Sequence, residues 1–206
     1  MLREISSEVK FFMAGWLGFW FLSMGIYILI LKPQGITYID NIHITIPHFI
    51  CSALVGALIF KLPKLLEANH KGLIQLFILS LCSALFILLP PFIDTIMPLQ
   101  EKMVSKLMEI QFYYPLFKLE SGSTKMADII FQQTLIMTLV LYLKNHFTDN
   151  KKVIKLFTIV FFFLHTPLVF FFSLTSLVFI IPSLLAGIIF SFLILKFKFG
   201  ILYSYL

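Results

Sequence analysis

The sequence has few charged residues, and this scarcity limits the class of protein. Of 206 residues only 13% are charged, whereas 60% are hydrophobic and the mean hydropathy is +0.99. Soluble domains carry about 25% charged and about 45–50% apolar residues, and a chain of this size must expose much of its surface to water. The composition therefore excludes a soluble enzyme, and it also excludes a disordered chain, which would contain few apolar residues.

Cysteine pairs and common catalytic motifs are also missing. Cys51 and Cys82 each lie alone in an apolar run, so there is no zinc knuckle or redox CxxC motif, and both are expected to be buried free thiols. No glycine-rich phosphate loop or GxSxG motif occurs. His43 and His48 are five positions apart, and Pro47 is expected to break a helix between them. The sequence therefore predicts no metal site and no cofactor.

Long apolar runs make up most of the chain. A helix needs about 20 apolar residues to cross the hydrocarbon core, and the runs lack the alternation of a membrane β-strand. We therefore predict an all-α, polytopic membrane helix bundle in which residues 1–206 form a single transmembrane domain. Its six predicted spans are Phe11 to Leu31, Ile46 to Leu62, Leu73 to Met97, Met126 to Leu143, Val153 to Leu174 and Ser176 to Leu195.

The basic residues predict how these spans are oriented. The net charge of +6 would suggest nucleic acid in a soluble protein, but here the basic residues lie in short segments between apolar runs. With the N-terminus inside, inner segments hold 11 of the 16 Lys and Arg residues and outer loops hold 5, as the positive-inside rule requires. We expect a multi-pass protein of the inner (plasma) membrane with both termini cytoplasmic, in contact with the lipid bilayer and not with nucleic acid.

One long polar segment, Pro98 to Lys125, separates the third and fourth spans. Met103, Leu107 and Ile110 recur at helical spacing among charged residues, which predicts a short amphipathic helix on the membrane interface. The Ser121 to Thr124 stretch that follows is rich in small polar residues and is expected to be a flexible connector. This segment is therefore predicted to be an extramembrane loop.

Polar side chains at membrane depth are the main candidates for function, because they are expensive in lipid. Gln132 and Gln133 lie about 9–10 Å below the predicted outer face, and His165 about 12 Å below it. These three residues could meet inside the bundle, or each could make an ordinary hydrogen bond between helices. Asp128, one turn before Gln132, is expected to stay hydrated at the interface near the helix N-terminus.

Residues 126–206 carry two patterns that resemble a known family of membrane proteases. Ile130-Phe-Gln-Gln-Thr-Leu-Ile-Met137 lies where a Glu-Glu-x-x-x-Arg motif would be, and Phe161-Phe-Phe-Leu-His165 matches a Phe-x-x-x-His motif. This region resembles the CAAX prenyl protease and bacteriocin-processing (CPBP) family of intramembrane endopeptidases. The resemblance implies that positions 132 and 133 and His165 form the catalytic site, with a glutamate that activates water.

Both glutamate positions of that motif hold glutamine here, and the arginine position holds Met137. An amide lacks the basicity that general-base catalysis requires. We therefore expect a CPBP-like fold in which Gln132, Gln133 and His165 line a cavity that binds a membrane-embedded peptide substrate or a protein partner, with impaired hydrolysis. The alternative is a non-catalytic scaffold or regulatory subunit of a larger membrane complex, which would pack on Ala14, Gly15 and Gly18 of the first span. A transporter or channel subunit is a third, weaker alternative.

The C-terminal residues after Lys198 match the start of a seventh helix. Such a helix would end inside hydrocarbon, with carbonyl groups that lack partners. Either the segment lies flat on the interface with Tyr203 and Tyr205 among the headgroups, or the sequence is a shortened version of a longer chain, which we favour.

Overall fold

The computed structural model describes residues 5–38, 40–69, 119–166 and 177–205, and every regular element in these ranges is helical. A π-helix (Ile26–Leu31) and a short 3-10 helix (Lys32–Gln34) follow α1 directly. In chain order, the α-helices α1 to α7 are Ser7–Gly25, Ile42–Ile59, Leu62–Ala68, Leu119–His146, Asn150–His165, Leu177–Lys196 and Gly200–Tyr205. The predicted all-α class is confirmed for this part of the chain.

Within the described residues, three helical segments are long and apolar enough to cross a membrane. They are Ser7–Gln34, Ile42–Ile59 and Gly122–His146, and they coincide with the first, second and fourth predicted spans. Helices α5, with 16 residues, and α6, with 20, lie where the fifth and sixth spans were predicted. The third predicted span lies outside the described residues, so the count of six remains a prediction.

The described chain divides into two compact units. The first consists of residues 5–20, 57–69, 134–166 and 177–205, and the second of residues 21–38, 40–56 and 119–133. Helices α1, α2 and α4 each contribute residues to both.

Aromatic side chains join α1 to α4 in the first unit. Trp16 is fully buried, and its indole N–H donates a hydrogen bond of 2.8 Å to the carbonyl oxygen of Leu135. One turn earlier, the Phe12 ring stacks on Tyr142 with centroids 3.5 Å apart and meets Phe60 edge-on at 5.3 Å. Such contacts hold helices together in lipid, where burial of apolar area contributes little.

Helix α5 has one apolar face, which is buried within the first unit. The buried positions repeat at intervals of three and four residues, as expected for a helix packed along one side. Gly187 of α6 lies opposite Phe161, and a Cβ at Gly187 would be 3.2 Å from the Phe161 ring. The buried residues of α5 are Val153, Leu156, Phe157, Val160, Phe161 and Leu164.

The C-terminal segment turns back after α6 and forms the short helix α7. Gly200 begins α7, and a Cβ at this position would collide with the carbonyl oxygen of Leu193, so the turn requires glycine. Ile201 and Ser204 are buried while Tyr203 is exposed. The two predicted arrangements of this segment, flat on the interface or shortened from a longer chain, both stay predictions.

Two local predictions from the sequence were wrong. Pro47 lies inside α2, which begins at Ile42, so it does not break a helix between His43 and His48. Proline is tolerated inside membrane helices where neighbouring groups or local adjustments satisfy the backbone groups that it leaves free. The predicted connector from Ser121 to Thr124 is helical, because α4 begins at Leu119; Gly122 and Thr124 are buried there, and this packing outweighs their weak helix propensity.

The predicted burial of Cys51 was also wrong. Cys51 is a free, exposed cysteine on α2, which also exposes Leu54, Val55 and Leu58. This face of α2 is covered by no protein in the described chain, which suits a helix that contacts lipid. Cys82 lies outside the described residues.

Candidate functional site around Asp128

A buried carboxylate is the centre of the polar contacts in the second unit. The Asp128 side chain is only 1% exposed. Its Oδ2 atom accepts hydrogen bonds from Lys125 Nζ at 2.7 Å and from the Tyr38 hydroxyl at 2.9 Å. Its Oδ1 atom accepts one from Gln132 Nε2 at 2.8 Å. We call these four residues the Asp128 cluster.

Three members of the cluster lie on the same face of α4 because of their spacing. Lys125, Asp128 and Gln132 occupy positions i, i+3 and i+7 of α4, so they lie on one helix face. The expectation that Asp128 stays hydrated at the interface was wrong. Donors replace water around this carboxylate, and a buried charge is retained in a fold only when it is paired in this way.

The fourth member, Tyr38, is positioned by the tight connection between the 3-10 helix and α2. Gly35 has a φ of +75°, and its carbonyl oxygen accepts a hydrogen bond from Asn41 Nδ2 at 3.1 Å. The Thr37 hydroxyl accepts a bond from the Asp40 backbone N–H at 2.9 Å, while the Thr37 carbonyl oxygen accepts one from Thr45 Oγ1 at 2.9 Å. These bonds close the loop and direct Tyr38 toward α4.

The Tyr38 ring packs among other aromatic side chains. Its centroid lies 5.3 Å from Tyr27 and 6.0 Å from Phe49, and Phe49 in turn lies 6.1 Å from Phe131. Burial, and then the negative charge of Asp128, raise the pKa of the Tyr38 hydroxyl well above its usual range. Tyr38 therefore remains a hydrogen-bond donor at every physiological pH.

The two candidate glutamines have different surroundings. Gln132 is half-buried, and its amide is bonded to Asp128 on its own helix. Gln133 is buried, with 5% of its surface exposed. Both belong to the second unit. The structure thus brings Gln132 together with Asp128, a contact that the spacing allowed but that was not predicted.

His165 is the last residue of α5 and belongs to the first unit. Its Nδ1 lies 2.8 Å from the carbonyl oxygen of Phe161, one turn earlier. Since a carbonyl can only accept, this contact places the proton of a neutral imidazole on Nδ1 and leaves Nε2 as the acceptor nitrogen. The ring also packs against the Phe161 ring at 4.5 Å. The predicted convergence of His165 with Gln132 and Gln133 remains a prediction.

The two histidines of α2 have different surroundings. His48 Nε2 lies 3.1 Å from the carbonyl oxygen of Ser23, and His43 is exposed. Across residues 5–38, 40–69, 119–166 and 177–205, no group of three or more His, Cys, Asp or Glu side chains could hold a metal ion.

The Asp128 cluster can anchor but is poorly suited to proton transfer. Both carboxylate oxygens already accept hydrogen bonds from a lysine, a phenol and an amide. Removing one partner of such a buried pair is strongly destabilising, because the charge that remains is uncompensated. The cluster therefore fixes Tyr38 to the first turns of α4 within the second unit.

No family model, no curated protein and no solved structure matches this chain. In the part of the chain that the structure describes, the fold is all-α, with three apolar helices of membrane-spanning length.

Proposed function

We propose that this chain is a multi-pass integral membrane protein with a CPBP-like fold that binds a membrane-embedded peptide or protein partner without cleaving it. The membrane placement is supported by three helices of spanning length within the described residues and by the exposed apolar side chains of α1 and α2. The likeness to the family is supported by the Phe-x-x-x-His match from Phe161 to His165, whereas the glutamine pair at positions 132 and 133 departs from the family motif.

One observation carries the non-hydrolytic part of the proposal. The Gln132 amide donates to Asp128 at 2.8 Å, so this position requires a donor. A glutamate there, as the family motif has, would place two carboxylates against each other, which is unfavourable unless one is protonated. Gln132 therefore has a hydrogen-bonding role of its own in the fold, and it does more than mark the loss of a catalytic base.

A disulfide test examines the CPBP-like fold. Cysteines are introduced at Gln133 and His165 after Cys51 and Cys82 are changed to serine, and the membranes are treated with a mild oxidant. The proposal expects an intramolecular cross-link for this pair and none for a control pair at His165 and Leu58, since Leu58 is an exposed residue of α2 (73%). Equal yields for both pairs, or no cross-link at 133 and 165, would overturn the family likeness.

A second experiment examines binding without cleavage. Dye-labelled peptides with a single apolar span are mixed with the protein in liposomes, and benzoylphenylalanine replaces either Gln133 or the exposed Leu58 as a photo-cross-linker. We expect intact peptide by mass spectrometry, and stronger cross-linking from position 133 than from position 58. Cleavage that His165→Ala abolishes would overturn the non-hydrolytic role, and equal cross-linking from both positions would overturn the binding cavity.

A non-catalytic scaffold within a larger complex is the second candidate, and one observation favours it. Ala14, Gly15 and Gly18 of α1 are exposed, and a Cβ at either glycine would meet nothing within 4 Å. In native membranes, Gly15→Leu with Gly18→Leu should then convert a large complex into a smaller species on a native gel. Unchanged migration would remove this candidate.

A further inference from the structure

Seven lysines lie at the helix ends that meet at one end of the first unit. Contacts between side chains bring these ends together: Glu8 of α1 lies 3.6 Å from His146 of α4, Asn69 after α3 donates to Asn145 at 2.9 Å, and Lys144 bonds to Asn150 of α5 at 2.8 Å. We call the lysines of these segments the basic rim. They are Lys10, Lys61, Lys64, Lys144, Lys151, Lys152 and Lys155.

The charge of the basic rim is not balanced within the described chain. The same segments hold three carboxylates, those of Glu8, Glu67 and Asp149. Glu8 is engaged by the Tyr142 hydroxyl at 3.4 Å, and Asp149 accepts from the Lys151 backbone N–H at 2.9 Å as the N-cap of α5. In the described ranges no carboxylate lies within 4.0 Å of a basic-rim lysine. Lys144 donates to the neutral Asn150 side chain, so the positive charges of the rim are left for an external anion to balance.

The rim also carries aromatic and apolar groups typical of a membrane interface. Phe11, next to Lys10, is 83% exposed, and Lys152 Nζ lies 4.6 Å from the centre of the Phe147 ring. Lysine chains at such depth extend along apolar surface and place the ammonium group among lipid headgroups. An external anion at this level of the molecule would be a phosphate group of the bilayer.

We propose that the basic rim binds the headgroups of anionic phospholipids and concentrates these lipids around the protein. This inference rests on the membrane placement within the proposed function, but not on the family likeness. A lysine beside an anionic membrane surface gains about fivefold in association. Because neighbouring lysines share the same lipids, removing three of the seven should reduce the preference for anionic over neutral lipid by about tenfold.

The test measures the lipids that remain bound to the purified full chain. Wild type, a Lys151→Gln/Lys152→Gln/Lys155→Gln variant and the matching Lys→Arg variant are each equilibrated with phosphatidylglycerol and phosphatidylcholine in known proportion. Retained lipids are quantified by mass spectrometry, at low and at high salt. The Arg variant keeps the charge, and a thermal scan checks that each variant is folded.

We expect the wild type and the Arg variant to enrich phosphatidylglycerol, the Gln variant to lose about tenfold of that enrichment, and salt to weaken it in all cases. Retention in the bulk proportion by the wild type, or equal enrichment by the Gln variant, would overturn the inference while leaving the proposed function intact. Alkaline carbonate extraction of membranes distinguishes a failure of the lipid inference from a failure of the membrane placement. Release of the chain into the supernatant would overturn the membrane placement, and the lipid inference with it.

Discussion

Replacing Gln132 by glutamate tests the central contact of the Asp128 cluster. The change keeps the shape of the side chain but replaces the amide donor, 2.8 Å from Asp128 Oδ1, with a second carboxylate. Two like charges about 4 Å apart repel by about 4 kcal/mol at an effective dielectric constant of about 20. Lys125, 2.7 Å from the other oxygen of Asp128, offsets part of this repulsion, so Gln132→Glu should lose about 2–4 kcal/mol.

The assay is thermal unfolding in detergent, followed by the fluorescence of the two buried tryptophans, Trp16 and Trp20. For a chain of this length the loss corresponds to a fall in Tm on the order of 5–10 °C. Gln132→Met is the neutral control, since it removes the donor without adding charge and should lose about 1–2 kcal/mol.

A double variant makes the test specific to the pair. Asp128→Asn combined with Gln132→Glu exchanges the amide and the carboxylate, so part of the lost stability should return, by at least about 1 kcal/mol beyond the sum of the single changes. The reasoning is refuted if Gln132→Glu at pH 7.5 is as stable as Gln132→Met, or if the double variant shows no such coupling.

Three further predictions concern individual contacts. Tyr38→Phe removes a donor from Asp128 and should lower the stability by about 1.5–3 kcal/mol at neutral pH. Because the pKa of Tyr38 is raised in the fold, the unfolded phenol ionises first, and wild-type stability should fall as pH rises above about 10. Denaturation curves at pH 7 and above pH 10 would test both expectations. Trp16→Phe deletes the bond to the Leu135 carbonyl and should lower stability by about 1 kcal/mol, measured by SDS-induced unfolding; no change would contradict that bond. Gly200→Ala cannot keep the turn into α7 because the added carbon collides with α6, so limited proteolysis should cut after α6 faster than in wild type, whereas an unchanged pattern would contradict this turn.

The helices could be predicted from the sequence, because a long apolar run with few charges satisfies its backbone hydrogen bonds in lipid by forming a helix. Local signals failed where packing overrides them. Pro47 is accommodated inside α2, and the Ser121 to Thr124 stretch extends α4. In both cases the prediction used intrinsic preference alone, which tertiary contacts routinely outweigh.

The Asp128 cluster shows which part of a site the sequence could reveal. Lys125, Asp128 and Gln132 have the spacing of one helix face, so their proximity could have been predicted from residue numbers. Tyr38 lies 90 residues away in the chain, and no local pattern connects it to α4. Without knowledge of that contact, a carboxylate near a helix end is more simply interpreted as hydrated, which was the error made here.

The uneven enclosure of the membrane-length helices has a consequence for how the protein is assembled. In the apolar 18-residue stretch of each candidate span, 22% of the residues are buried in the spans that contain α1 and α2, against 78% in α4. Helix α4 also carries the buried polar groups Thr124, Asp128 and Gln133. In the proposed membrane placement, α1 and α2 can enter lipid during synthesis on their own hydrophobicity, whereas α4 depends on partners such as Tyr38 and Trp16. Those partners precede α4 in the chain, so they are already inserted when it leaves the ribosome. The order of synthesis thus means that Asp128 of α4 need not face lipid before its partner Tyr38 is present.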